Sequence, residues 1–305
     1  MLVGRVMASL SLLVGACDLA WSQSSPVTVE TRLLIVSAAD GRMPEARLKA
    51  KADEAQAMLD RVLEFWSADA GVDRFGKIHV VFDAPLERDT YSSVLVANIS
   101  GGRRVRTVRV FGSLRAPENL VHKLTTAVLA QPDKLIRNMI GVATEERIGN
   151  RLSHPSCGFR SDDWVLALSN LGLRVPLAEL GPDHESWGMQ VGADGTPAVF
   201  DRARQSRAYA EAGSFGGYLI ETFGIEKMKR LQRLSLSKAR PWPDVYGMTL
   251  QELEDGWMNS LRAKAGSSRE VVTRLTSLWK ANPKTACSRA QALGRKVDHE
   301  TPTRL

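Results

Sequence analysis

The residues of this chain best suited to chemistry lie in two short stretches. One is Asn119-Leu120-Val121-His122-Lys123-Leu124-Thr125-Thr126, and the other is Val142-Ala143-Thr144-Glu145-Glu146-Arg147-Ile148-Gly149. An imidazole and a carboxylate brought together from neighbouring helices could share a metal ion or pass a proton. The plainer reading makes His122, on an apolar helix face, a satisfied core histidine. Tyr209, Phe215, Tyr218 and Phe223 likewise read first as a core stripe. His154-x-x-Cys157 has metal-ligand spacing, but with His184 it makes three ligands and no fourth. The basic run Gly101-Gly102-Arg103-Arg104-Val105-Arg106 reads as a solvated hairpin tip. The chain has no Gly-x-Ser-x-Gly elbow, no Walker A loop and no Gly-x-Gly-x-x-Gly after a strand.

The elements that must position these residues follow from periodicity. Residues 27–36 alternate and are rich in β-branched types, which predicts a strand. Residues 45–67 place Leu48, Ala52, Ala55, Leu59, Val62, Leu63 and Trp66 at helical spacing. A short strand follows over Lys77–Phe82, and residues 91–112 read as two strands joined at Gly101-Gly102. From Ala116 the pattern turns helical, with Leu120, Val121, Leu124, Val128 and Leu129 forming a buried stripe. Asp133 can cap the next helix, which runs to about Gly149. The stretch 153–200 reads as irregular. Helices are expected over roughly 206–223 and 225–236, and Thr249 with Glu252 forms a capping box for another. Residues 266–305 suggest one short helix and a frayed tail. The expected fold class is therefore α+β: a small N-terminal mixed sheet with one long helix, then a mostly helical half.

The order of these elements, and the wording of several, resembles the gluzincin metallopeptidases, particularly the bacterial peptidase MA-like domains. Those carry His-Glu-x-x-His on one helix and a Glu ligand on the next, after a sheet whose edge strand lines the substrate cleft. Two His at i and i+4 face one way and bind zinc, and the intervening Glu acts as general base for the metal-bound water. Here His122 stands at the first ligand position, Lys123 replaces the base, and Thr126 replaces the second His. Glu145 stands where the third ligand is expected, and the interval from Thr126 has the length of one gluzincin branch. Downstream, Tyr209-Ala210, Ser214-Phe215 and Tyr218-Leu219 with the closing Gly224 resemble the peptidase MA pattern. Gly247 to Glu254 followed by Trp257 resembles that family's terminal helix. The resemblance covers roughly residues 30–265. It implies a zincin-like helical half and makes Tyr209 a candidate for steadying an oxyanion. Lys123 cannot serve as a base, and one imidazole with one carboxylate is too few ligands for tight zinc binding. The site thus reads as a degenerate peptidase in which Lys123, paired with Glu145 or Glu146, could occupy the old metal position. No cofactor is expected, and zinc only if the site proves functional.

Composition bounds the rest. The 305 residues are 44% hydrophobic with 24 Gly and 13 Pro, which excludes a disordered, collagen-like or coiled-coil chain. Lys plus Arg number 41 against 34 Asp plus Glu, a net charge of +7 that is too mild for a nucleic-acid partner. Residues 1–22 read as an export signal: Arg5 precedes the uncharged run Val6–Ala16, which is shorter than the ~20 apolar residues of a spanning helix. Cleavage after Ser22 is one route. The other is a lipobox at Val14-Gly15-Ala16-Cys17, with signal 1–16 and Cys17 acylated. Export leaves Cys157 and Cys287 as an even pair in an oxidising compartment, a plausible disulfide.

The expected organisation is an α/β sheet subdomain over 26–114, a helical peptidase-like subdomain over 115–265, and a C-terminal helix and tail over 266–305. The expected function is that of a periplasmic or secreted pseudopeptidase, with an inner-membrane lipoprotein as the anchored variant. It would bind a peptide, a protein or another envelope partner through the residual cleft, and touch the membrane only through a lipid anchor. Strand addition along Thr107, Val108, Arg109, Val110 and Phe111 is the specific expectation. The alternatives are a divergent zinc metallopeptidase and a structural envelope lipoprotein.

Overall fold

A computed structural model describes residues 27–39, 43–82, 93–100, 103–110, 118–192 and 197–300. Residues 1–22, expected to be an export signal, together with Cys17, the expected turn at Gly101-Gly102 and Phe111, lie outside them. The alternating stretch at 27–36 is not one strand. It breaks into β1 (Thr28–Glu30) and β2 (Leu34–Ala38), paired antiparallel. The turn between them is held from a distance: Gln56 accepts from the Thr31 hydroxyl at 2.7 Å and from the Leu33 N–H at 2.9 Å. Gln56 belongs to the long helix α1 (Glu45–Trp66), which leads through the short α2 (Val72–Phe75) to β3 (Ile78–Phe82). Strands β4 (Ser93–Ser100) and β5 (Arg103–Val110) complete a mixed five-stranded sheet of order β1-β2-β3-β5-β4. Strands β2, β3 and β5 are parallel, and β1 and β4 run antiparallel on the two outer edges. The sheet buries Leu34, Val36, Ile78, Val80, Val108 and Val110, the alternate positions of its three central strands.

This topology corrects the strand-addition expectation. The main chain of β5 is hydrogen-bonded to β3 through Thr107–Val110 and to β4 along its whole length, so Thr107, Val108, Arg109 and Val110 offer no free edge. The outer edge belongs to β4. Arg106 also departs from its reading as part of a solvated tip. It is 4% exposed, and its guanidinium donates to the carbonyls of Ala70 (2.7 Å), Gly76 (2.7 Å) and Ala127 (3.3 Å). It thereby ties the sheet to the C-terminal end of helix α3 (Leu120–Val128).

The helical half begins with α3 and α4 (Lys134–Ile148), the latter capped by Asp133, whose carboxylate accepts the Leu135 and Ile136 N–H groups. Next is α5 (Ser161–Asn170), a helix inside the stretch expected to be irregular. Its run Trp164–Leu168 is buried on every side, so no amphipathic period marks it in the sequence. A two-stranded hairpin of β6 (Met189–Val191) and β7 (Pro197–Val199) leads into the long α6 (Arg202–Phe223). Gly213 and Gly216 let α6 press on α4. A Cβ at Gly216 would lie 2.4 Å from the Met139 carbonyl oxygen, and one at Gly213 would lie 2.3 Å from Val142.

Helices α7 (Ile225–Leu234) and α8 (Trp242–Tyr246) precede α9 (Leu250–Lys264), where the Thr249/Glu252 capping box is formed. The C-terminal stretch holds two helices, α10 (Arg269–Ala281) and α11 (Ala286–Glu300), rather than one and a frayed tail. Val272, Leu275, Trp279, Ala286 and Ala290 bury their inner faces. The Cys157–Cys287 disulfide, with Cα atoms 5.3 Å apart, fastens them to the loop before α5. The buried apolar side chains of sheet, helical half and C-terminal helices form one continuous cluster.

Candidate functional site

Helices α3 and α4 bring His122, Lys123, Thr126 and Glu145 into one neighbourhood, but each side chain is engaged in its own way. Glu145 is 3% exposed. Its carboxylate accepts the His122 N–H at 2.6 Å and the Asn150 N–H at 2.7 Å. His122 is the third residue of α3, so Glu145 does from another helix what an N-cap side chain does locally. Burial outweighs these bonds and pushes its carboxyl up to about 7. A Cβ at Gly149 would sit 2.3 Å from the Glu145 carboxylate, so glycine there leaves room for the fold-back.

His122 packs its ring on Gly141, where a Cβ would come within 2.4 Å of it. Neither ring nitrogen has a hydrogen-bond partner, and burial, reinforced by Lys123 and Arg137, holds its pKa well below the ordinary value. The reading of a satisfied core histidine is therefore half right: the ring is in the core but unsatisfied. The Thr126 hydroxyl donates to the Lys123 carbonyl one turn back at 3.0 Å. Glu146 turns away and accepts the Ser161 N–H.

The expected ion pair of Lys123 with Glu145 or Glu146 does not form, because both carboxylates are committed to backbone amides. Lys123 instead points into a cavity. Burial lowers its pKa to about 8 although Glu145 opposes the shift. These residues do not fit a zinc ion. The two carboxylate oxygens already accept hydrogen bonds, Thr126 is tied to its own helix, and an ammonium occupies the base position. Among the described residues no three of His, Cys, Asp or Glu are grouped as metal ligands. His154, Cys157 and His184 in particular go separate ways, to Ser206, to the disulfide and to Lys134.

The cavity has a volume of about 320 Å³ and lies between α3, the loop before α5, α5, α6 and the α10–α11 turn. Lys123 reaches it from α3 and Asn119 from the residue before that helix, Arg202, Gln205, Ser206 and Tyr209 from α6, and Trp164 and Trp279 wall it edge to face, ring centres 6.3 Å apart. The disulfide forms part of the wall. No lining residue is an Asp or Glu. Tyr209 sits at an aromatic junction, its ring 5.6 Å from His154, 6.2 Å from His122 and 5.3 Å from Trp187. Burial pushes the Tyr209 phenol up to about 12 and the His154 imidazole down to about 4.

Sequence reasoning missed one member of this region. Lys134, at the first position of α4, looks like a surface cation, yet it is 1% exposed. Its amine meets His184 Nδ1 at 2.7 Å and Met189 Sδ at 2.9 Å, and lies over the Trp187 ring. Burial, with Arg137 nearby, lowers its pKa to about 6, and His184 falls to about 4. Its partners come from residues 184–189, fifty positions away, and no local pattern announces them.

No family model matches this chain, and no curated protein or solved structure is significantly similar to it.

Proposed function

We propose that this chain is an exported, catalytically inactive gluzincin-like protein that holds a peptide or protein partner of the cell envelope in the Lys123 cavity. The observation that carries this reading is the fate of the Glu145 carboxylate. Where the family would present a metal ligand, both oxygens accept backbone N–H groups, and the neighbouring base position holds a lysine aimed into a pocket without acids. The order of elements supports the family part of the reading. A mixed sheet with an antiparallel outer strand comes first, then a His-bearing helix joined to a Glu-bearing one. The Cys157–Cys287 bond supports export, since such bonds persist in oxidising compartments.

Loss of the base and of one ligand removes both ways in which zinc assists hydrolysis, activating water and polarising a carbonyl. Binding needs neither. The test pairs metal analysis of the purified chain with a broad peptide-substrate screen. The expected result is far less than one zinc per chain and no turnover. Near-stoichiometric zinc with chelator-sensitive cleavage would overturn the reading in favour of a divergent metallopeptidase.

A further inference from the structure

The chemistry of the cavity narrows the class of partner, if the pseudopeptidase reading above is taken as its basis. We propose that the cavity receives the free C-terminal carboxylate of a peptide whose last residue is apolar. Lys123 supplies a half-buried amine with no ion pair among the described residues, in a pocket that no acid lines. A charged ligand group that enters must therefore be an anion, and an ion pair formed out of bulk water is stronger than one on the surface.

The anion is a carboxylate rather than a phosphate. Phosphate sites gather Arg forks or consecutive backbone N–H groups, whereas here Arg202, which also lines the cavity, is already engaged elsewhere, Lys284 is exposed on the rim, and Lys123 is the cation left to receive the anion. The anion belongs to a peptide rather than to a fatty acid. Asn119, Gln205, Ser206 and Gln291 surround the space with neutral donors and acceptors, which match the amide next to a terminal carboxylate. A hydrocarbon chain would displace water from these groups and offer them no hydrogen bond in return. Trp164, Leu168 and Trp279 form the apolar wall for the last side chain. A volume of about 320 Å³ is at the small end of ligand pockets, enough for the end of a peptide but not for a folded segment. At strands β6 and β7, Val199 lines the cavity, and Phe200 and Val191 stand 58% and 47% exposed, an apolar surface for the preceding residues.

The experiment is calorimetric titration of the full chain with acetyl-Ala-Ala-X tripeptides, X being Leu, Phe, Val or Met, each as free acid and as amide. Dodecanoate and inorganic phosphate serve as the other probes. The free acid should bind at least about tenfold more tightly than its amide, since a charge-assisted hydrogen bond is lost. Lys123→Met should bring the acid down to the affinity of the amide and leave the amide unchanged, and Lys123→Arg should keep most of the preference. Equal binding of acid and amide, no binding of any tripeptide, tighter binding of dodecanoate or phosphate, or undiminished acid preference in Lys123→Met would each overturn the assignment. Mass spectrometry of the recovered tripeptide separates this outcome from the basis it rests on. Intact peptide agrees with a dead site, whereas acid-selective binding followed by cleavage would sink the pseudopeptidase reading and leave the carboxylate site standing.

Discussion

On one face of α6, Arg174 lies between two carboxylates. On the other, Lys123, Lys134, His154 and His184 have no acid within ion-pair distance among the described residues. In the first cluster Arg174 reaches Glu211 at 3.2 Å and Glu254 at 2.6 Å, with its guanidinium over the Trp257 ring. The remaining carboxylate oxygens accept the Val175 and Leu177 N–H groups. Even so, burial pushes the Glu211 carboxyl up to about 7. The second cluster carries the opposite kind of group, and burial drives its bases toward the neutral form. Residues 209 and 211 point to opposite sides of one helix, so the two arrangements are neighbours that share a scaffold. A buried polar cluster whose members answer one another is a fastening. One whose members are all bases with no acid to answer them, beside a cavity, is prepared for something from outside.

Breaking the fastening should have the largest effect. Arg174→Met leaves Glu211 and Glu254 buried without their cation and should cost about 3–5 kcal/mol in urea unfolding. Glu211 already has a folded pKa above its unfolded one, so its contribution is full below about 4.5 and is lost as pH rises through about 7. Removing Arg174 enlarges that shift, so the loss should be greater at pH 8 than at pH 5. An equal loss at both would mean that packing on Trp257, not charge, does the fastening.

Glu145 tests whether a carboxylate beside the cavity belongs with the fastened group. Glu145→Ala strands the N–H groups of His122 and Asn150 and should cost about 2–4 kcal/mol, with Glu145→Gln costing less. The loss should be the same with and without chelator, which separates a helix cap from a metal ligand.

The smallest effect has the opposite sign. Lys134→Met replaces a buried amine by a side chain of similar length beside Met189 and should stabilise the chain by about 1–3 kcal/mol at pH 7. Lys134 titrates at about 6 in the fold against 10.5 ordinarily, so the unfolded chain binds the extra proton between those values. Wild-type stability from this group therefore rises with pH across that window, and Lys134→Met should flatten the rise in a melting-temperature series. A slope that persists would place the titrating group elsewhere.

What could be read from the sequence follows the range of the forces involved. Caps at Asp133 and Thr249, the stripe of α1 and the alternation of β3 are local signals, and the elements form where they point. The even pair of body cysteines also gave its bond. The turn at Thr31–Leu33 was hidden because alternation runs through it and Gln56, a side chain of α1, holds it. Helix α5 was hidden by burial on all sides. Of the chemical residues, His122, Lys123, Thr126 and Glu145 were found by motif and do lie together. The directions they face were not legible, nor was the burial of Lys134, because both depend on segments far apart in the chain.

The disulfide has a topological consequence. With its ends 130 positions apart, it turns the chain from the loop before α5 through α10 into a closed covalent ring, with an open strand entering and another leaving. Trp164, Gln205, Tyr209 and Trp279 lie on the ring. Asn119 and Lys123 come from the incoming strand, and Ser288 and Gln291 from the outgoing one. A single cut within the ring would leave both pieces joined, whereas a cut between α4 and Cys157 would sever the charged end of the cavity from its aromatic walls. The cavity thus exists only where open chain docks on closed ring, and its amine is held there by noncovalent contacts alone.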